Sequence, residues 1–307
     1  MMGALQTFVC CPDCGNLART CGAISATEVF AGRLLDTPIE GGALYRCGTC
    51  QLGFRWPRLS KNEFDTLYAM GGDQAWTSSV DSRRDWRLGR AWIAQNLSPG
   101  ASVLDVGCFD GGFLQGLVGS HHCFGIEIQQ QARLHAQRKG IALIGHDFSD
   151  VSGQFDCITT FDVIEHVENP VHFLSRCLDA VRPGGHVLIS TGNLDAFTFR
   201  MMGSRYWYCT IAEHISFLSP IWFDPIKSAM GFQIEYLTTF THDNAPIARR
   251  LKELIANTLY WAHPVLLGAL RIIGLGEKDV RRHPMLAQHP PAWWTARDHF
   301  MIVLRKL

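Results

Sequence analysis

Between residues 101 and 192 short apolar runs alternate with segments of helical spacing. ASVLDVG (101–107) is a buried-strand pattern that stops at a glycine, and GGFLQGLVGS (111–120) starts a helix behind it. HCFGIEI (122–128) is a second strand, followed by QQQARLHAQRKG (129–140), a helix that ends in glycine. IALIGHD (141–147) is a third strand, and FDCITTFDVIEH (155–166) a fourth that runs into a loop. PVHFLSRCLDAVRPGG (170–185) is a helix with a Pro-Gly-Gly stop, and HVLIST (186–191) is the fifth strand. MGFQIEY (230–236) and HFMIVLRK (299–306) are further strands. Upstream, residues 60–98 are mostly helical, with a capping signal at Ser60 and Glu63 and a break at Ser98-Pro99-Gly100. The alternation predicts an α/β fold: a parallel sheet with helices on both faces.

Composition changes this picture little. The chain has 307 residues, 47% apolar and 18% charged, enough for a large core. Lysine plus arginine equals aspartate plus glutamate at 28 each, so no basic excess points to nucleic acid. The cysteines change it more. There are eleven, an odd number, with six in the first 50 residues. The opening MMGALQTFVCC has neither the basic start nor the long apolar run of a secretory signal. A cytoplasmic location is expected, where paired cysteines read as metal ligands before disulfides. No apolar run reaches the ~18 residues of a membrane span.

The glycine turn VLDVGCFDGGF (103–113) carries the first candidate chemistry. A strand, a glycine turn, a helix and a second strand ending in an acid make a nucleoside site. The acid is Glu127, 22 residues after Asp105, where about 20 are expected. A dinucleotide needs a glycine where its pyrophosphate meets the backbone, and Phe109 stands there. S-adenosylmethionine carries no phosphate, and Asp105 can orient its ammonium end. The residues alone leave a third reading open, a turn that merely connects strand to helix.

VLDVGCFDGGF, GIEI, FDCITTFDVIEHVENP and LDAVRPGGHVLISTGN, in that order and spacing, resemble the class I S-adenosylmethionine-dependent methyltransferases. The branch most resembled includes quinone-biosynthesis O-methyltransferases and sugar or natural-product methyltransferases. Phe109 departs from the glycine common in the family. The resemblance implies a Rossmann-like methyltransferase domain over 101–307. It also implies that Asp105, Gly107 and Gly111 line the methionine part of the cofactor and Glu127 holds the ribose. Asp147 and Phe148 would flank the adenine, and Phe161 and Asp162 would close over the site. The sulfonium activates the methyl group by itself, so catalysis is largely alignment and exclusion of water. A base is needed only for a hydroxyl, thiol or activated carbon acceptor. His166 in VIEHVENP and His214 in EHISFLS are the candidates, with loop capping as the structural alternative for each. Tyr206, Trp207 and Tyr208 could wall a planar or sugar acceptor.

The N-terminal cysteines form two C-x2-C knuckles, Cys11–Cys14 and Cys47–Cys50, with 32 residues between them. Four thiolates on two tight turns make a closed, structural zinc site. The spacer has room for a small hairpin or loop. A zinc-ribbon-like module over 1–57 and a helical linker or lid over 58–100 follow. A zinc-knuckle prefix of this kind resembles that of some sugar and natural-product methyltransferases. RNA methyltransferases carry zinc prefixes too, which the neutral charge disfavours. A small-molecule acceptor is therefore expected, a sugar, glycan or secondary metabolite. A non-catalytic zinc-ribbon scaffold that binds cofactor without turnover also fits the motifs. An NAD(P)-dependent oxidoreductase fits them least, because of Phe109.

ARRLKELIANTLYWAHPVLLGALRIIGL (248–275) lies in a helical insertion at about 246–276. Three basic residues precede an apolar stretch. It reads either as a peripheral lipid-contacting or lid helix, or as packing against the domain or a second subunit.

Overall fold

The structure, a computed structural model, describes residues 8–69, 83–241, 245–275 and 287–307; residues 70–82 of the expected helical stretch and residue 276 of the expected insertion lie outside these. The spacer between the two knuckles is β structure. Strands β1 (Ala18–Ile24), β4 (Gly42–Cys47) and β5 (Gly53–Trp56) form an antiparallel sheet, and β2 (Thr27–Phe30) pairs with β3 (Arg33–Ile39) as a separate hairpin. Strands β1 and β3 are exposed along most of their length. They lack the buried alternating face that marks a strand in sequence.

Helix α1 (Lys61–Ala69) begins at the expected capping pair. Ser60 Oγ accepts from the Glu63 amide at 3.3 Å, and Glu63 Oε2 accepts from the Ser60 amide at 2.9 Å. Helix α2 (Arg84–Asn96) buries Trp86, Gly89, Trp92 and Ile93, one stripe at helical spacing. Then follow β6 (Ser102–Val106), α3 (Gly112–Gln115), β7 (His122–Ile126), α4 (Gln130–Arg138), β8 (Ala142–Gly145), β9 (Phe155–Phe161), α5 (Pro170–Asp179) and β10 (Val181–Gly192). Next come α6 (Phe197–Met202), α7 (Trp207–Thr210), β11 (Ser216–Phe217), α8 (Lys227–Met230), β12 (Phe232–Phe240), α9 (Ile247–Ala262), α10 (Pro264–Leu270) and β13 (His299–Lys306).

Seven strands form the main sheet in the order β12-β13-β10-β9-β6-β7-β8. The expected parallel α/β core is present, but the sheet is mixed. Strand β13 runs antiparallel to both neighbours, with His299 opposite Gly192 and Phe240. The chain leaves β12 at that end, makes the α9–α10 excursion and re-enters at the same end. No crossover intervenes, and antiparallel pairing follows. The central strands are buried on both faces, as Val103, Leu104, Ile158, Leu188 and Val303 show. Helix α5 ends at Asp179, before the Pro-Gly-Gly sequence, because the chain is already extended at Val181.

The N-terminal sheet is continuous with the rest of the molecule. Strand β11 adds to its edge, Ser216 opposite Phe54 and Phe217 opposite Gly53. Val9, Leu52 and Phe54 share one apolar core with Leu218, Trp222, Phe223 and Phe300. The Asp13 carboxylate, in the first knuckle, accepts from Trp222 Nε1 at 3.1 Å and from the Val171 amide at the start of α5 at 3.4 Å. No helix among the described residues is long and apolar enough to cross a membrane.

Candidate active site

The parallel strands end at one edge, and the loops that leave them enclose a cavity of about 450 Å³. Strand β6 supplies Asp105, whose carboxylate accepts from Thr159 Oγ1 at 2.6 Å. The turn after it needs left-handed backbone at Gly107 (φ 72°), Phe109 (φ 46°) and Gly111 (φ 75°). Phe109 thus holds a glycine-like conformation with a side chain attached. Its amide donates to Glu127 Oε2 at 2.8 Å, and the Gln129 amide donates to Oε1 at 2.7 Å. Both interactions hold the carboxylate at the end of β7.

Asp147 follows β8 and caps a short turn, accepting from the Ser149 amide at 2.6 Å. Phe148 packs edge-on against Phe173 and under the Arg176 guanidinium. Phe161 ends β9 and meets Phe113 at 4.5 Å between ring centroids. Gly89 lets α2 approach, since a Cβ there would come within 2.9 Å of the Phe161 ring. Asp162 takes left-handed backbone (φ 53°), and its Oδ2 accepts from Arg83 Nη2 at 2.5 Å.

Asp105, Gly107, Glu127, Asp147, Phe148, Phe161, Asp162 and His166 all line the cavity. Gly111 does not. A Cβ there would lie 2.1 Å from Ile141 Cδ1, so this glycine lets the turn pack against α4 and the residues after it. His214 is also absent from the wall. It lies behind His166, ring centroids 4.9 Å apart, with its Nδ1 3.2 Å from the Tyr208 carbonyl. His166 Nδ1 is 3.0 Å from the Glu213 carbonyl. A carbonyl can only accept, so each Nδ1 carries the proton, and Nε2 is the basic nitrogen of each neutral ring. Tyr206, Trp207 and Tyr208 form no wall of this cavity. They are buried, with the Tyr206 hydroxyl on Asp298 and the Tyr208 hydroxyl on Glu165 at 2.6 Å.

The cavity residues outside the sequence expectation include Phe109 of the turn itself and, from segments before the sheet, Tyr68, Arg83 and Trp86. Arg83 pairs with Asp85 and Asp162 and sits over the Trp86 ring. Four carboxylates therefore line the cavity against one guanidinium among the described residues. Burial pushes Asp105 up to about 7 and raises Glu127 as well. These acids gain most from a cation brought among them. Burial lowers His166 and drives His214 well below its ordinary value.

A second chamber of about 410 Å³ adjoins the first, and Phe148, His166, Val167 and Phe173 face both. Its far wall holds Leu59, Phe64 and Ile215. The N-terminal sheet fixes this wall. Arg55, 5% exposed, donates to the carbonyls of Cys209, Ile211 and His214, at 2.5, 3.1 and 3.3 Å. Arg58 donates to the carbonyls of Glu168 and Ile215, at 2.7 and 3.2 Å.

At the root of that sheet, Cys11, Cys14, Cys47 and Cys50 bring their sulfurs within 4.8 Å of one another. Cys11 and Cys50 are 3.4 Å apart, and Cys14 and Cys47 are 3.5 Å apart. The Thr49 and Cys50 amides point at Cys47 Sγ, at 3.4 and 3.5 Å.

The family described as "Methyltransferase domain" matches residues 81–237. The Ubiquinone biosynthesis O-methyltransferase of Aromatoleum aromaticum is 33% identical over 129 residues, covering 38% of this chain and 55% of that one. That of Dechloromonas aromatica is 33% identical over 132 residues, covering 38% and 56%. The chain spans about half the length of the curated relatives it matches. A chain of the Haloferax volcanii complex between the Trm112 methyltransferase activator and a methyltransferase shares the fold, with a TM-score of 0.51, 15% identity, and coverage of 81% of this chain and 99% of that one. The match extends over half of the sequence and includes the glycine turn, the Glu127 strand and the His166 loop: the chain belongs to the methyltransferase domain family, with its class I, Rossmann-like sheet.

Proposed function

We propose that this protein transfers a methyl group from S-adenosylmethionine to a small-molecule acceptor. The observation that carries the reading is the four-carboxylate cavity at the ends of β6, β7, β8 and β9, which suits a cofactor bearing both a sulfonium and an ammonium. Asp105 and Gly107 would face the methionine part, with Arg83 near its carboxylate. Glu127 would accept from the ribose hydroxyls, and its carboxylate is already held by two amides. Asp147 and Phe148 would flank the adenine, and Phe161 and Asp162 would close the site. Gly111 keeps a shaping role in the turn. Phe109 keeps a side chain where a dinucleotide would need bare backbone, which disfavours NAD(P).

When bound, the cofactor supplies an electrophilic methyl group. The chain aligns the acceptor with it and keeps water out. The adjoining chamber is where the acceptor fits, with His166 between the two spaces. The names of the O-methyltransferase relatives favour a hydroxyl acceptor, within the class of sugars, glycans and secondary metabolites. His166 Nε2 would then take the hydroxyl proton, and burial keeps the ring neutral for that task. His214 acts through His166 as a positioning residue.

The Cys11, Cys14, Cys47 and Cys50 cluster suits structural zinc. A tetrahedron of thiolates at about 2.3 Å from the metal has edges of about 3.8 Å, close to the observed sulfur separations. Four sulfur ligands leave no open position, so the metal would hold residues 1–57 together and take no part in transfer. In this reading 58–100 is the helical link and 101–307 the catalytic domain. A reducing, cytoplasmic setting suits the eleven free thiols.

Titration calorimetry tests the main claim. S-adenosylmethionine should bind and NAD should not. No heat with S-adenosylmethionine at millimolar concentration sinks the reading.

A further inference from the structure

Amphipathic helices on globular domains turn their apolar face inward. Of the large apolar residues of helix α9, only Tyr260 and the half-buried Leu259 join the core. The buried residues of the helix are Glu253, Asn257 and Tyr260. Each is held by polar contacts. The Glu253 carboxylate accepts from the Thr295 amide and hydroxyl at 2.9 and 2.7 Å and from Arg249 Nε at 3.1 Å. Asn257 Nδ2 donates to the Glu253 carbonyl, and the Tyr260 hydroxyl donates to the Gln288 carbonyl. On the opposite side, Ile247, Leu251, Leu254, Ile255 and Trp261 form one exposed stripe at i, i+4, i+7, i+8 and i+14. Helix α10 and the turn after it extend the apolar surface with Val265, 85% exposed, and Ile273, 76% exposed.

Charge on this surface has one sign. Arg250 and Lys252, both exposed, flank the start of the stripe. The only acid between residues 247 and 273 is Glu253, buried and engaged on the inner side. A second copy of this chain would offer the same basic rim and no acid on the hairpin to meet it. A lipid surface with anionic headgroups satisfies both halves. It takes the apolar stripe among its acyl chains and the cations among its headgroups. Trp261 and Trp294, each about half exposed, have the amphipathic rings that settle at such a boundary.

We propose that the α9–α10 hairpin docks the protein on an anionic lipid surface, lying in the interface without crossing it. The inference goes beyond methyl transfer and does not depend on the acceptor. It does set which side of the molecule faces lipid. From Trp294 a run of ring contacts leads inward through Trp207, Tyr208 and His214 to His166 at the cavity wall, with centroids 5.0, 5.7, 4.1 and 4.9 Å apart. The lipid-facing side and the cavity are joined by packed side chains.

The test is co-sedimentation of the full chain with vesicles of phosphatidylcholine alone, or with about one third phosphatidylglycerol, at physiological ionic strength. The protein should bind the anionic vesicles, less so as salt rises. An Ile247→Ser/Leu251→Ser/Ile255→Ser variant should bind at least about tenfold more weakly, and Arg250→Glu/Lys252→Glu should lose the preference for anionic lipid. Ile221→Ser, an exposed apolar residue elsewhere, should bind as the parent does. Calorimetry with S-adenosylmethionine on each variant reads the methyltransferase proposal separately. Failure of the unaltered protein to sediment with anionic vesicles overturns the inference without reliance on any variant. So does undiminished binding by the triple serine variant. A triple variant that instead converts a dimer to a monomer in analytical ultracentrifugation assigns the face to a second copy and overturns it as well.

Discussion

The two halves of the site are built differently. The cofactor half comes from consecutive strands of one sheet: Asp105, Glu127, Asp147 and Asp162 stand at the ends of four parallel strands. The half proposed for the acceptor is assembled from segments far apart, Leu59 and Phe64 before β6, His166 between β9 and α5, and Ile215 between α7 and β11. Arg55 and Arg58 hold those segments together by their carbonyls. Local geometry makes the first half, and the N-terminal sheet with the residues after it braces the second. Damage to that sheet should therefore reach the acceptor before the cofactor.

The harshest challenge to that division is loss of the cysteine cluster. Structural zinc contributes on the order of 10 kcal/mol in small domains. Cys14→Ser/Cys47→Ser, or chelation, should release one zinc per chain by mass spectrometry, lower the unfolding midpoint and abolish turnover. Full turnover by metal-free protein would break the comparison. Arg55→Ala is milder. It leaves the buried Cys209 and His214 carbonyls without the guanidinium and should cost about 2 kcal/mol in denaturant unfolding. Cofactor affinity should stay within about twofold while turnover falls. If the cofactor Kd moves more than the acceptor KM, the halves are not separable as described.

The cofactor half can be probed by pH. Burial holds Asp105 up at about 7 in the folded protein, well above the value of an exposed aspartate. The folded state thus binds this proton more tightly than the unfolded chain. The stabilisation from that proton is full below the unfolded pKa of ~3.9 and is lost as pH rises through about 7. A cationic cofactor reverses the preference. Its affinity should weaken by up to about tenfold per unit as pH falls below 7, and Asp105→Asn should flatten that profile. A wild-type profile flat from pH 6 to 8 would contradict the role given to Asp105. The smallest effect is expected at Phe109→Gly. Left-handed backbone on a non-glycine residue costs roughly 1–2 kcal/mol, partly offset by the extra freedom of glycine in the unfolded chain. Stability should change by about 1 kcal/mol or less, and cofactor affinity by less than about tenfold. Phe109 lines the cavity, so a larger loss would mean that its ring contacts the cofactor directly.

The same division explains what the sequence revealed. Asp105, Glu127 and Asp162 are legible because each follows an apolar run of strand length, and parallel strands end in register. Arg83 carries no such mark. It precedes α2, and the packing of Gly89, Trp86 and Ile93 around Phe161 and Phe113 brings that helix over the site. Gly111 sits in the expected turn, yet the role of a turn glycine depends on which side its missing Cβ would face, which spacing does not encode. His214 and the aromatic segment 206–208 belong to a stretch that does run close to the site, but burial places them behind His166. Of the strands between the knuckles, β1 and β3 are illegible because they are exposed at most positions. The α9 stripe is legible as apolar, but its direction is not, since period alone does not distinguish inward from outward.

One two-residue contact bears on how the chain comes off the ribosome. The edge of β5 is complete by residue 56, but its partner, Ser216–Phe217, is made some 160 residues later. At about 5–20 residues per second that is a delay of roughly 8–30 s. During that interval the N-terminal sheet has an open edge, and the metal proposed at the four cysteines would hold it together. Synthesis under zinc limitation should then leave nascent chains with that edge exposed until β11, made after all five parallel strands, arrives to cover it.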